Sequence, residues 1–170
     1  MYLLNNMELQ NFIHQNHSFK DILQSEGFRV KNFTKHKVSL IKNPYNNEIS
    51  YDSDKLWKMY CKSVLLDTNT HKIISLSPSK SIKLTHTKLN DVLSDETIHT
   101  TTEIQQLIDG TMINLVYHND EWIIHTRSEI GGNNSNYKSP KFKKLFDECS
   151  SLIDYTTLDT NHSYSFVMIH

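Results

Sequence analysis

Near the amino terminus apolar residues fall at helical spacing, with Leu9, Phe12 and Ile13 on one face. Ser18 with Asp21 three positions later gives a capping-box-like start to a second helix. Its buried stripe is Phe19, Ile22 and Leu23, and Gly27 ends it as a left-handed residue. The period then changes to two. Phe28 to Phe33 alternates apolar with polar positions, and Val38-Ser39-Leu40-Ile41 makes a second strand before a turn at Asn43-Pro44-Tyr45-Asn46-Asn47. Lys55 to Tyr60 reads as a short helix with Trp57 in the core. Cys61 to Asp67 and His71 to Leu76 form a hairpin around Thr68-Asn69-Thr70.

Asp91 to Leu93 is too short to assign, and Glu103 to Ile108 reads as a strand entering Asp109-Gly110. Thr111 to Tyr117 and Trp122 to Thr126 make a second hairpin through His118-Asn119-Asp120-Glu121. Thr111, Ile113, Leu115 and Tyr117 share a face, against which Trp122 and Ile124 can pack. Ser139 as N-cap and Pro140 at the first position open the strongest helix. Along it Phe142, Leu145, Phe146, Cys149, Leu152 and Ile153 recur at helical intervals, while Lys141, Lys143 and Lys144 face outward. Ser163 to His170 reads as a core strand, and its apolar run to the final residue suggests a piece of a longer protein. The pattern predicts an α+β fold, an antiparallel sheet with packed helices. A helical and strand region, 1–52, and a region 53–170 belong to the same domain.

Composition narrows the partners more than the fold. Apolar residues at 37% and charged residues at 22% suit a globular chain, and 170 residues are enough for one full core. A net charge of −1 gives no chain-wide attraction for nucleic acid, so any such binding needs a local basic patch. Only Arg29 and Arg127 of the 18 basic residues are arginines, which draws attention to Arg127, inside the candidate site. Cys61 and Cys149 lack metal or redox spacing and read as buried thiols of a reducing, intracellular and cytoplasmic compartment. The first residues are too polar for a signal peptide, and no apolar run approaches the roughly 18 residues of a membrane span. His14 and His17 have no neighbouring ligand to complete a metal set, so no metal-ligating residue is assigned.

The most informative stretch runs from Leu107-Ile108-Asp109-Gly110-Thr111 to Thr126-Arg127-Ser128. A hairpin opened by an acidic residue and glycine and closed by arginine resembles the signature region of covalent nucleotidyltransferases, with phage-type ATP-dependent RNA ligases similar in spacing. Two further segments match in order. Cys61 to Asp67 through Ile73 to Lys80 is similar to the strands preceding the nucleophile, and Tyr164-Ser165-Phe166-Val167 is similar to a later strand of the nucleotide pocket. The resemblance covers roughly Lys55 to His170 and implies a partial, ligase-like nucleotidyltransferase domain. It implies ATP and Mg2+ as cofactors, and a nucleotide and RNA ends as partners. Asp109, Gly110, Thr111 and Arg127 are its nucleotide-binding residues, with Lys62 and Lys80 as further phosphate ligands.

Members of that family attack the α-phosphate of ATP with a lysine amine to form lysyl-AMP. Here Leu107 stands where that lysine is expected, and Ser165 stands where a later glutamate is usual. Lys80 and Lys83 are the nearest upstream lysines. The expectation is a degenerate or truncated ligase-like domain that binds ATP or an RNA end without covalent chemistry, so no catalytic residue is assigned. The alternatives are a non-catalytic RNA-binding or protein-interaction module on the same scaffold, and an unrelated α+β domain. In the plainer reading Asp109-Gly110 is a turn, Arg127 pairs with Glu129 or Glu121, Gly131-Gly132-Asn133-Asn134 is an ordinary loop, and the lysines of 141–144 are a solvated helix face.

Overall fold

The computed structural model describes residues 2–43, 53–78, 85–94, 106, 108–135 and 140–169. Two antiparallel sheets are stacked between helices, an α+β arrangement. The first sheet contains β1 (Arg29–Phe33), β2 (Val38–Lys42), β3 (Ser63–Asp67) and β4 (Ile73–Leu76) in that order. The second has the order β6-β5-β7, from β5 (Thr111–His118), β6 (Glu121–His125) and β7 (Ser163–Met168). Because β2 pairs with β3, regions 1–52 and 53–170 share a sheet.

Strand alternation accounts for the layering. On one face of the first sheet, Ile41, Val64, Leu66 and Ile73 meet Leu9 and Ile13 of α1 (Tyr2–Gln15) and Phe19 and Leu23 of α2 (Phe19–Ser25). Trp57 belongs to this core and stacks on Phe12 with ring centroids 4.1 Å apart. The other face carries Val38, Leu40 and Leu65, packed on Val116 and Ile123 of the second sheet. The outer face of that sheet then receives α4 (Phe142–Cys149), whose Phe142 and Phe146 join Ile113 and Met168.

Local signals explain several element ends. Gly27 has φ of 84°, donates to Gln24 O, and lets Phe28 N–H reach Leu23 O at 2.9 Å, closing α2 with a Schellman motif. Asn119 and Asp120 have φ of 50° and 62°, as a two-residue hairpin with primed-turn geometry requires. Gln10 of α1 accepts from Ile73 N–H at 2.8 Å and donates to His71 O at 3.0 Å, so its amide matches the backbone of β4.

Other expectations are corrected. Ser18 precedes α2 but makes no side-chain cap bond. The 55–60 segment lies in a 3-10 helix, Ser53–Tyr60. A helix, α3 (His86–Ser94), occupies a stretch whose weak apolar pattern left it unassigned, and its Leu89 and Leu93 are exposed. Gln106 and Ile108 are not in a strand, and the rest of the expected strand at 103–108 lies outside the described residues apart from these two. Helix α4 starts at Phe142 with Lys141 as N-cap; Ser139 lies outside the described residues. It ends at Cys149, so Leu152 is 96% exposed and Cys149 is exposed too. Strand β7 is not a core strand: it lies at the edge of its sheet with residues alternately exposed, and only Met168 is buried. Of the turn at 43–47 only Asn43 is described, and it is buried. No helix among the described residues is long and apolar enough to cross a membrane.

Candidate nucleotide-binding cavity

Strand directions bring the start of β3, the end of β4, the start of β5 and the ends of β6 and β7 to one end of the sandwich. There the two sheets part around a cavity of about 480 Å³. Lys62 enters its lining from just before β3, Asp109, Gly110 and Thr111 from the entry to β5, and Arg127 from just after β6. Five of the six residues singled out in the sequence therefore surround one hollow. The sixth, Lys80, lies outside the described residues, as does Leu107.

Each segment is held for a local reason. Gly110 runs so close to the last strand that a Cβ there would collide with the Met168 carbonyl and sit 3.0 Å from Val167 Cγ1. That close approach, not a positive φ, is why glycine is needed. Arg127 sits in a tight reversal: Thr126 N–H donates to Glu129 O at 2.8 Å, and Glu129 N–H reaches Thr126 Oγ1 at 3.2 Å. Asn134 donates to the same hydroxyl at 3.2 Å. Lys31 of β1 then fixes Glu129 through a 2.6 Å ion pair, tying the reversal to the first sheet.

Sequence reasoning missed the polar floor. Asn114 is 1% exposed, donates from Nδ2 to Ser77 Oγ at 2.9 Å, and accepts from Ser165 Oγ at 2.7 Å. Ser77 and Asn114 both line the cavity. The available signal was one amide inside the apolar run Ile113-Asn114-Leu115, since a buried polar side chain needs partners. Deeper between the sheets, His125 is fully buried with Nδ1 3.1 Å from Thr126 O and Nε2 2.8 Å from Ser75 Oγ. With the Nδ1 proton given to the carbonyl, Nε2 accepts from the serine. Burial pushes this imidazole down to about 4, against the Thr126 carbonyl, which favours the charged form.

The glycine loop has a structural task. Phe142 N–H donates to Asn134 O and Lys143 N–H to Gly132 O, both at 2.9 Å, so backbone carbonyls cap α4. A Cβ on Gly132, where φ is 59°, would approach Lys143 N to 2.9 Å. The α4 lysines face solvent, with Lys143 paired to Asp147 at 2.7 Å and Lys144 3.9 Å from Glu148. Glu129 is engaged by Lys31 and Glu121 by His36.

Chemically the described lining residues offer two cations, one carboxylate, several hydroxyl and amide groups, and apolar walls from Met112, Phe142 and Val167. No group of three or more His, Cys, Asp or Glu suited to a metal ion occurs among the described residues. Comparison with protein-family models, curated proteins and solved structures gives no match to this chain.

Proposed function

We propose that this cavity binds a nucleotide, as ATP or as the nucleotide at an RNA end, without forming a covalent bond to it. The observation that carries the reading is the convergence of Lys62, Asp109, Gly110, Thr111 and Arg127, from three separate segments, on one hollow. Arg127 and Lys62 supply the donors and positive charge that phosphates require, Arg127 with a fork able to grip two oxygens. The apolar wall gives a base a surface to lie on, and the Ser77–Asn114 floor gives it hydrogen-bonding groups.

Asp109 is the one carboxylate among the described lining residues. That suits magnesium bound mainly by phosphate oxygens with a single protein carboxylate, and the ion would supply charge neutralisation. Leu107 carries no nucleophilic atom, so the lysyl-AMP step of the ligases that the sequence resembles has no amine at its expected place.

Incubation with α-labelled ATP and magnesium, followed by acid precipitation, tests the covalent half. No acid-stable label is expected, and label abolished by replacing a single lysine would overturn it. Equilibrium binding of ATP and of a 5′-phosphorylated dinucleotide tests the other half. Saturable binding, weakened about tenfold or more in Arg127→Ala, is expected, and no saturable binding of either ligand refutes the reading.

A further inference from the structure

Lys42 of β2 is the cross-strand partner of Ser63, the residue after the cavity-lining Lys62, so the end of β2 lies at the cavity end of the first sheet. Arg29 of β1 and Lys42 of β2 are direct cross-strand partners. Strand alternation puts both on the face that carries Leu40 and Phe33, the side toward the second sheet. Like charges directly opposite each other weaken an antiparallel pair. Neither Arg29 nor Lys42 forms an ion pair among the described residues, and the nearby carboxylate, Glu129, is taken by Lys31. Burial, then the charges of Arg127, Arg29 and Lys31, hold the Lys42 amine below the ordinary lysine range, against the Glu129 carboxylate. Both arginines of a chain with net charge −1 thus act on the charge of one lysine, whose strand partner Ser63 adjoins the cavity-lining Lys62.

We infer that Arg29 and Lys42 form a track for the phosphodiester backbone of single-stranded nucleic acid, leading its terminal nucleotide toward Arg127 and the cavity. Glu129 offsets the charge at Lys42 in part; a polyanion lying along the cross-strand pair supplies further counter-charge, so repulsion between the two cations becomes attraction in the complex. The destination of the strand rests on the nucleotide reading of the cavity; the track itself does not.

The test is the gain in affinity with ligand length. Binding of a 5′-phosphorylated ten-nucleotide RNA, its DNA equivalent and a 5′-mononucleotide is measured by anisotropy and competition at several salt concentrations. The intact chain should bind the oligomers at least about tenfold tighter than the mononucleotide. In Arg29→Gln/Lys42→Gln that advantage should collapse, and the salt slope should fall by about 0.7 for each phosphate no longer neutralised. Arg29→Lys/Lys42→Arg should keep it, separating charge from misfolding. An advantage unchanged in the glutamine variant, or oligo-glutamate competing as well as RNA, overturns the track. If the mononucleotide does not bind but the oligomer does, and the glutamine variant loses it, the track stands while the nucleotide cavity falls.

Discussion

Ser75 Oγ lies 2.8 Å from His125 Nε2 across the space between the two sheets, and the imidazole is fully buried. A bulge in the β3–β4 pairing, with Leu65 opposite Ser75 and Leu66 opposite Ile73, turns the serine toward the histidine. Stability should therefore respond to pH well above the carboxylate range. The folded ring has its affinity for a proton depressed to about 4, whereas the unfolded ring titrates near 6.5. Between those values the unfolded chain binds more protons, so stability falls as pH drops from about 6.5 toward 4, by on the order of 3 kcal/mol. Denaturant titrations at pH 7 and pH 5 compare the two, and His125→Gln should flatten this part of the profile.

Asp67 adds an acid limb at the opposite end of the sandwich, where its carboxylate lies 3.2 Å from His118 Nε2. Burial works against the charged form, but the Thr70 and Asn69 backbone N–H groups, the Thr70 hydroxyl and His118 outweigh it, leaving this acid below its ordinary range. Its contribution is present above the unfolded value of about 3.9 and is lost as pH falls through the folded one. Asp67→Asn should cost about 1 kcal/mol at pH 7 and make acid unfolding less steep. Equal steepness in both proteins would contradict this.

Gly110→Ala should be among the most damaging small substitutions near the cavity, because the new methyl meets the backbone of Met168. Separation of β5 from β7, or a shift of Asp109, has to follow. A loss of about 1–3 kcal/mol in thermal or denaturant stability is expected, with nucleotide binding weakened beyond what Thr111→Ser produces.

Ser165→Ala removes the donor to the buried Asn114 oxygen. A cost of about 1–3 kcal/mol is expected from that unsatisfied acceptor. Asn114→Leu with Ser165→Ala should recover part of it, since two apolar groups leave less polar surface unpaired. A double-mutant cycle with no coupling would show that the two side chains act independently.

Most of the architecture was readable in the chain, for identifiable reasons. Period-two alternation located β1 and β5, β-rich runs bounded by polar turns located β2, β3, β4 and β6, and the Asn119-Asp120 turn supplied the positive φ values that its hairpin needed. Helix α3 was missed because Leu89 and Leu93 face solvent, so no buried stripe marks it. Strand β7 looked like a core strand because Phe166 and Met168 do pack on α4, but Ser163, Ser165 and Val167, on its opposite face, are exposed. The gathering of Lys62, Asp109 and Arg127 followed from a resemblance in spacing, whereas the Arg29–Lys42 pairing depends on register, which composition does not encode.

Gln10 carries a consequence for assembly. By imitating a neighbouring strand it occupies the exposed rim at His71 and Ile73, a place where a second molecule would otherwise dock edge to edge. Removing α1 would then strip the roof from the apolar interior and unlock a sticky margin in a single stroke, so a shortened polypeptide should self-associate into β-rich aggregates before it unfolds as a monomer.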